Sequence, residues 1–159
     1  MREISFTVEG KPKPQPRPRA YSRTGITRMY DPRTAEGWKQ SISEAARDHI
    51  PAEPMEGALS LWLEFIMPRP KAHYLKSGLR VNAPYWHTIK PDTDNLCKAV
   101  MDCMTSMRFW NDDSQVCELK CRKLYERDQR VAGLFVNLHQ SGEGLTLKET
   151  ETNNDRISR

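Results

Sequence analysis

Alternating apolar and polar positions predict several β-strands in this chain. Over residues 2–9 every second side chain from Ile4 onward is apolar, which is the period of a strand with one buried face. The run ALSLWLEFIM over 58–67 carries large apolar residues at alternate positions and predicts a second, strongly buried strand. Two later stretches have the same character and predict a pair of strands, over 115–125 and 131–138.

Two other stretches show the spacing of three to four residues that is typical of an amphipathic helix. The first helix is predicted over about 32–49, with Asp31 as its N-cap and Pro32 at its first position. The second is predicted from Asp92–Asn95 to about Met107. Its apolar stripe consists of Leu96, Val100, Met104 and Met107. The order of elements, βαβαββ, predicts an α/β or α+β fold with a mixed sheet of about four strands and two main helices.

Length and composition indicate one small domain. With 159 residues, the chain is long enough to bury a core of its own. The segment 141–159, SGEGLTLKETETNNDRISR, has few large apolar residues and is predicted to be a disordered tail, which leaves 1–140 as the folded domain. No apolar run approaches the roughly 18 residues of a membrane span, and the first residues lack the apolar core of a signal peptide. We therefore expect a cytoplasmic protein without a membrane segment.

The cysteines give no sign of a metal site. They are Cys97, Cys103, Cys117 and Cys121. None of their pairs has the CxxC spacing, and no histidine stands between the first and the last of them. A zinc site is therefore disfavoured, and reduced, buried thiols with a structural role are predicted.

Many of the positive charges of this chain, whose formal net charge is +4, lie in two segments that are predicted to be loops. The first is the proline-rich stretch EGKPKPQPRPRA with YSRTGITRMY after it, and the second covers 69–89. A basic, proline-rich loop can be simply solvated, can act as an SH3-type ligand through its PxxP spacing, or can contact phosphates without reading sequence. The candidate phosphate contacts are Lys13, Arg17, Arg19, Lys71 and Lys90.

The aromatic residues fall into two groups with different predicted roles. Phe109 and Trp110 follow the second helix and are predicted to seal the core. Tyr74, Tyr85 and Trp86 are interleaved with basic residues in the second of the two loops. These three side chains either pack within the loop or stack on unpaired bases of a nucleic acid.

Three of the aspartates bracket the second predicted helix, with Asp92 and Asp94 at its start and Asp113 after its end. Asp94 and Lys98 are four residues apart and therefore share one helix face, with Asp102 one turn further. One interpretation is structural, because aspartate caps helices and complements the positive helix end. The other is a Mg²⁺ site. Mg²⁺ takes carboxylate oxygens, waters and substrate phosphate as ligands, and a nearby lysine can stabilise charge that develops on the phosphate.

The residues alone leave the arrangement of these acids open. Asp112 could take the place of Asp113, while Asp102 is predicted to pair with Lys98. The second helix rises roughly 21 Å at ~1.5 Å per residue, so Asp113 follows its far end. Asp113 can share a metal with Asp94 only if the linker folds back within one chain or if a second subunit supplies it.

The motif KPDTDNLCKAVMD, followed by FWNDDSQVCELKCRK, resembles the RusA family of Holliday-junction resolvases, with the spacing kept throughout. Matched residue by residue, the catalytic and metal-binding carboxylates of that family fall on Asp92, Asp94 and Asp113. Its essential lysine falls on Lys98, and a later lysine falls on Lys123, which joins the candidate phosphate contacts. The N-terminal strand, the proline-rich loop and the first helix resemble the family more loosely.

The resemblance implies a RusA-like fold and a homodimeric endonuclease that depends on Mg²⁺, for which Mn²⁺ can substitute. The implied substrate is branched DNA, a four-way junction cut by paired, symmetrical nicks in recombination and repair. Two other functions stay open here: a nuclease of the same chemistry that acts on flaps or forks, and a DNA-binding architectural protein whose aspartates only cap helices. Lys98 argues against the second, because a protein that only binds DNA has little reason to place carboxylates in a basic groove.

Overall fold

The structure, a computed structural model, describes five stretches of the chain: 2–16, 19–23, 26–30, 35–127 and 131–140. The predicted tail lies outside them. The strands are β1 (Glu3–Glu9), β2 (Arg19–Arg23), β3 (Ile26–Tyr30), β4 (Leu59–Met67), β5 (Tyr74–Leu75), β6 (Gly78–Leu79), β7 (Val116–Tyr125) and β8 (Gly133–Gln140). The α-helices are α1 (Glu36–Ala46) and α2 (Thr93–Ser106). Neither of these described helices is long and apolar enough to cross a membrane.

Four of the described strands form the main sheet, in the order β1-β8-β4-β7. β8 pairs antiparallel with both β1 and β4, whereas β4 and β7 run parallel. A parallel pair needs a crossover connection, and α2 lies in the connection between β4 and β7. The mixed sheet and the two helices predicted from the sequence pattern are therefore confirmed.

The core lies between the two helices and one face of the sheet. Every second side chain of β4 is buried along this face, as the alternation in the sequence predicted. The buried cluster joins the sheet to α1 and α2 through Leu61, Leu63, Phe65, Trp38, Ile42, Leu96 and Val100. Burying one such side chain contributes about 1.5–3 kcal/mol. This shared core therefore fixes the position of α2 against the sheet.

α1 is shorter than the helix predicted over about 32–49. It ends at Ala46, and Arg47–His49 continue the chain as a 3₁₀ turn. The predicted N-cap at Asp31 lies outside the described residues. The predicted apolar period is nevertheless present, because Trp38 and Ile42 are buried on the inner face of the helix.

α2 agrees closely with its prediction, and the chain leaves it in a sharp turn. Arg108 adopts a left-handed backbone conformation with φ of 64°, and its amide donates to the carbonyl of Thr105 at 3.0 Å. This turn directs Phe109 and Trp110 into the core, where they are 0% and 1% exposed. The prediction that these two aromatic residues seal the core is confirmed.

The prediction of a loop after the proline-rich segment was wrong. The backbone forms an antiparallel hairpin of β2 and β3, in which Arg19 pairs with Tyr30 and Arg23 with Ile26. Polar and basic residues occupy many positions of both strands, so the alternation that predicts a half-buried strand is weak here. The conformation of this segment is decided by backbone pairing between the two strands, and the apolar pattern within one strand does not show that pairing.

The long loop before α2 is tied to the end of β7. The buried side chain of Arg69 donates through Nε to the carbonyl of Glu126 at 2.9 Å and through a terminal nitrogen to the carbonyl of Pro84 at 2.8 Å. The amide of Tyr125 donates to the carbonyl of Tyr85 at 3.0 Å. These contacts hold both ends of the loop beside the sheet, so the backbone that carries its exposed side chains is held in position at both ends.

Candidate active site

A cavity of about 450 Å³ lies between α2 and β7. Its lining includes two carboxylates, one lysine and two thiols, together with an apolar side chain of β7: Asp94, Asp113, Lys98, Cys97, Cys121 and Leu119. Three of the predicted catalytic residues, Asp94, Lys98 and Asp113, therefore meet in one cavity of a single chain. The fourth, Asp92, is not part of this lining.

Helix geometry brings Asp94 and Lys98 to the same face of α2. The ammonium nitrogen of Lys98 lies 2.9 Å from Oδ1 of Asp102, one turn further along, which confirms the predicted pair. The hydrogen bond and charge of Asp102 raise the pKa of Lys98, and the charge of Asp113 adds to the shift. Because the lysine side chain is 61% exposed, the pair contributes little to stability. Its effect is to keep a charged ammonium beside the cavity.

Asp113 is held in place by two donors from the end of α2 and the turn after it. Nε1 of the buried Trp110 donates to Oδ1 of Asp113 at 3.1 Å, and the hydroxyl of Thr105 donates to the same oxygen. The carboxylate is therefore fixed by the core, since Trp110 cannot move without disturbing its packing. Oδ2 accepts neither of these two hydrogen bonds.

Asp112 and Asp113 have different roles although they are adjacent. Asp112 is the N-cap of the short helical turn Asp113–Gln115, and its Oδ1 accepts from the amide of Ser114 at 2.8 Å. Hydrogen bonds from the side chain and from the amide of Ser114 lower the pKa of the exposed Asp112 carboxyl. The side chain of Gln115 accepts from the amide of Asp112 at 3.1 Å and completes a capping box. The alternative that Asp112 replaces Asp113 in the site is therefore not favoured.

Asp113 lies beside the far end of α2, as its position in the sequence predicted. The chain does not return along the whole helix, because Asp113 bonds to Thr105 in the last turn of α2. Asp94 lies in the first turn, yet both aspartates are among the residues that line the cavity. One chain thus supplies both carboxylates to this lining.

Asp92 and Lys123 lie on the approach to α2. Asp92 occupies the N-cap position, where its carbonyl accepts from the amide of Leu96 at 3.2 Å. The ammonium of Lys123 donates to the carbonyl of Ile89 at 2.7 Å and to that of Pro91 at 2.5 Å. Burial lowers the pKa of Lys123, against the opposing effect of the Asp92 charge. Lys123 therefore ties the segment before α2 to β7, and its predicted contact with phosphate stays a prediction.

Replacing Lys123 by Met should lower the free energy of unfolding by about 1 kcal/mol, because two carbonyls lose a charged donor while the aliphatic stem remains. Chemical denaturation of the purified chain measures this quantity. Lys120→Met is the matched control on the same strand, because Lys120 forms an exposed ion pair with Glu118. This variant should change stability by less than about 0.5 kcal/mol. Equal stability of the two variants would contradict the anchoring role.

The two carboxylates of the cavity are oxygen donors of the kind that Mg²⁺ prefers. Within the described residues, no three Asp, Glu, His or Cys side chains lie close enough together to form a ready-made metal cage. Mg²⁺ does not require one, because it is commonly bound through one or two carboxylates, several waters and substrate phosphate. Asp94 and Asp113 supply oxygen donors of this kind in one cavity, and Asp92 stands two residues before Asp94.

The proline-rich segment passes directly over the start of α2. The amide of Gln15 donates to the carbonyl of Asn95 at 2.9 Å, which places the exposed Lys13 near the entrance of the helix. A second cavity, of about 380 Å³, is lined by Lys11 and Lys90 among other residues. Lys11 was not among the predicted contacts. The sequence could not indicate Lys11 as a candidate phosphate contact, because only the tertiary structure places its segment beside Lys90.

The remaining predicted phosphate contacts are described to different extents. Lys71 is exposed in the long loop. Arg17 lies outside the described residues, and the side chain of Arg19 is not described, although its backbone begins β2. Their contacts with DNA stay predictions.

The aromatic residues of the long loop are exposed. Tyr74, Tyr85 and Trp86 are 43%, 39% and 52% exposed, and the rings of Tyr85 and Trp86 meet edge to face with centroids 5.0 Å apart. They are thus available to a partner, and stacking on bases stays a prediction. His87, by contrast, is buried, and this burial together with the charge of Lys123 lowers its pKa.

The thiols form the part of the site that the sequence pattern missed. Cys97 on α2 and Cys121 on β7 both line the cavity. Cys121 acts as a hydrogen-bond donor that lowers the pKa of Cys97, and this interaction together with burial raises the pKa of Cys121. The prediction of buried thiols is confirmed for Cys97 and Cys103 but is wrong for Cys117, which is exposed. Strand periodicity could not assign Cys117, because β7 lies at the edge of the sheet.

Comparison with known proteins identifies the family. The sequence model of the family described as Endodeoxyribonuclease RusA matches residues 9–132. The chain belongs to the RusA endodeoxyribonuclease family. Its relatives include the uncharacterized protein YqaN of Bacillus subtilis (strain 168), 35% identical over 131 residues that cover 80% of this chain and 92% of YqaN. A crossover junction endodeoxyribonuclease rusA of Lactococcus phage r1t is 41% identical over 46 residues, 29% of this chain and 35% of the phage protein.

Membership in this family identifies the chain as an endodeoxyribonuclease with the RusA fold, as the motif around α2 predicted. It makes a purely architectural protein a poor description of this chain. The cavity that holds Asp94, Lys98 and Asp113 lies within the matched residues and is therefore the candidate active site.

Proposed function

We propose that this protein is a Mg²⁺-dependent endonuclease that resolves four-way DNA junctions by paired, symmetrical nicks. The observation that carries the proposal is the meeting of Asp94, Lys98 and Asp113 in one cavity of a chain from the RusA endodeoxyribonuclease family. The junction as substrate is supported by the printed activity of the phage relative, although that match covers only 29% of this chain. Mn²⁺ is expected to substitute for Mg²⁺, since both accept carboxylate oxygen ligands.

In this proposal, Asp94, Asp113 and Lys98 each have a defined role. Asp94 and Asp113, with Asp92 at the helix start, would hold the cation. When bound, Mg²⁺ supplies charge neutralisation at the scissile phosphate and acidifies a water molecule. The ammonium of Lys98, kept protonated by Asp102, would stabilise the negative charge that develops on the phosphate during attack. The donors to Asp113 keep its carboxylate in one orientation, and such positioning lowers the barrier to reaction.

The basic residues around the cavity would position the DNA. Lys13 lies on the segment that crosses the start of α2, and Lys90 lies on the segment that enters it. Together with Arg17, Arg19, Lys71 and Lys123, they would contact the phosphate backbone. Contacts of this kind fix the register of DNA without reading its sequence, and they make affinity fall as salt increases.

A homodimer follows from the proposed product. Two symmetrical nicks in opposing strands require two equivalent active sites, which a symmetric dimer provides. Because one chain lines its cavity with both Asp94 and Asp113, we propose that each protomer carries its own pair of these carboxylates. Action on chromosomal or phage DNA is in keeping with the predicted cytoplasmic location.

In the deciding experiment, the protein is incubated separately with a labelled mobile four-way junction, a flap, a fork and a linear duplex. Each incubation is done once with Mg²⁺ and once with EDTA. We expect paired nicks at symmetrical positions in the junction, little cleavage of the duplex, and complete loss of cleavage in EDTA. Asp94→Asn should bind the junction without cutting it, because the amide keeps the size of the side chain but loses the charge that attracts the cation.

Each other result overturns a defined part of the proposal. Preference for the flap or the fork would make the protein a nuclease of a different substrate class. Single, unpaired nicks would contradict the homodimer. Cleavage that persists in EDTA would contradict the dependence on Mg²⁺. Junction binding without any cleavage would favour the structural interpretation, in which the aspartates only cap helices.

A further inference from the structure

Two cysteines face each other inside the candidate active site. Cys97 lies one turn after the start of α2, between Asp94 and Lys98 on the lining of the cavity, and Cys121 lies on β7 opposite the helix. Both side chains line the same cavity, and their interaction lowers the pKa of Cys97, although 24 residues separate them in the chain (121 − 97). No metal-binding group of three completes the pair among the described residues. This pair is therefore chemically distinct from a zinc site, which needs at least three protein ligands.

The other two cysteines differ from this pair in their surroundings. The thiol of Cys103 is buried against α1, with Ser43 Oγ at 3.2 Å and the Lys39 carbonyl at 3.6 Å. Cys117 is exposed on β7 and does not line the cavity. Cys97 and Cys121 are the two cysteines that line this cavity, through whose opening a small oxidant can enter.

We propose that Cys97 and Cys121 form a reversible disulfide when a hydroperoxide enters the cavity, and that this disulfide switches off the nuclease. The proposal rests on the proposed function only for its second half. The first half is a statement about thiol chemistry that can be tested without DNA.

The reaction with hydrogen peroxide balances in two steps. The sulfur of Cys97, as the thiolate, attacks one oxygen of the peroxide, the O–O bond breaks, and the departing hydroxide takes a proton to form water. Cys97 is now a sulfenic acid. The sulfur of Cys121 attacks it, the S–O bond breaks, and a second water leaves as the S–S bond forms. Two thiols are thus oxidised by two electrons, and one peroxide is reduced to two waters.

The disulfide would disturb the residues that the proposed reaction needs. A disulfide requires its two sulfurs to lie about 2.05 Å apart, so its formation draws α2 toward β7. Asp94 and Lys98 flank Cys97 on α2, while Asp113 is held by Trp110 in the core. The movement therefore changes the position of Asp94 relative to Asp113. A displacement of about 1 Å at a reacting centre can reduce the rate on the order of 100-fold.

The test treats the full chain with hydrogen peroxide, removes the excess, and divides the sample for three measurements. Thiols counted after denaturation should fall from four to two, and tryptic fragments should show Cys97 linked to Cys121. Cleavage of the four-way junction should fall on the order of 100-fold, and dithiothreitol should restore both thiols and cleavage. Circular dichroism establishes that the oxidised chain remains folded.

Matched serine variants separate the pair from the other cysteines. Cys117→Ser should keep its basal cleavage and should still form the Cys97–Cys121 link, because Cys117 lies outside the cavity. In Cys97→Ser and Cys121→Ser no link can form, and each variant is compared with its own reduced sample. Retention of cleavage by both after peroxide treatment would support the disulfide as the inhibitory species.

The possible failures are distinguishable. Four thiols remaining after treatment, or a link between other cysteines, would overturn the proposal. A Cys97–Cys121 link with unchanged cleavage would overturn the switch. If the reduced protein cuts no DNA at all, the proposed function fails, while the fragment analysis still decides whether the disulfide forms.

Discussion

Replacing Asp113 by Asn is expected to reduce DNA cleavage by about 10²–10³-fold or more, because the metal contact that we propose for Asp113 would provide several kcal/mol of transition-state stabilisation. The variant should fold normally. Its amide oxygen can still accept from Nε1 of Trp110 and from the hydroxyl of Thr105, the two donors that hold Asp113. The loss should therefore appear in the rate of cleavage under single-turnover conditions and not in the stability of the protein.

The neighbouring Asp112 provides a matched control for this prediction. It is exposed and caps the turn Asp113–Gln115, and asparagine is as good an N-cap as aspartate. Asp112→Asn should therefore cleave the junction at nearly the wild-type rate. Equal losses in the two variants would contradict the assignment of Asp113 to the cavity and Asp112 to the cap, and would indicate a shared electrostatic effect of the two acids.

Replacing Trp110 by Ala is expected to lower the free energy of unfolding by about 3–5 kcal/mol, the usual effect of removing a large aromatic side chain from a core. Trp110 is 1% exposed and belongs to the cluster that joins α1, α2 and the sheet. The change also removes the Nε1 donor to Asp113. Denaturant titration followed by circular dichroism measures the loss of stability.

Trp110→Phe separates packing from the hydrogen bond. Phenylalanine retains much of the buried area but has no N–H, so its loss of stability should be smaller while the carboxylate of Asp113 becomes less constrained. Trp86→Ala serves as the surface control, because Trp86 is 52% exposed and its removal should change stability by about 0.5 kcal/mol or less. If Trp110→Phe cleaves DNA as fast as the wild type, the indole donor has no positioning role.

The local part of the site could be predicted from the sequence. The spacing of Asp94, Lys98 and Asp102 places them on one face of α2 whatever the rest of the chain does, since it depends only on the helical repeat. The strands β1 and β4 were predicted for the same reason, because a period of two needs no knowledge of the partner strand. The Lys98–Asp102 pair is a direct consequence of this spacing.

The prediction failed where backbone pairing between distant or weakly patterned segments decides the outcome. The hairpin of β2 and β3 was predicted to be a loop, because its two strands satisfy each other's backbone groups without a clear apolar face in the sequence. Likewise, the two carbonyls that accept hydrogen bonds from Lys123 belong to a segment more than 30 residues away in the sequence. No pattern within β7 could indicate that contact.

The sequence by itself determined the fold class, the helix that carries Asp94 and Lys98, and the family, because these follow from local periodicity and from a motif of fixed spacing. Only the tertiary structure decided that Asp113 remains at the far end of α2 and still lines the same cavity as Asp94. It also brought Cys97 and Cys121 to the lining of one cavity. The physical reason is that each of these arrangements depends on packing α2 against β7 over the common core, and such packing depends on side chains from many parts of the chain at once.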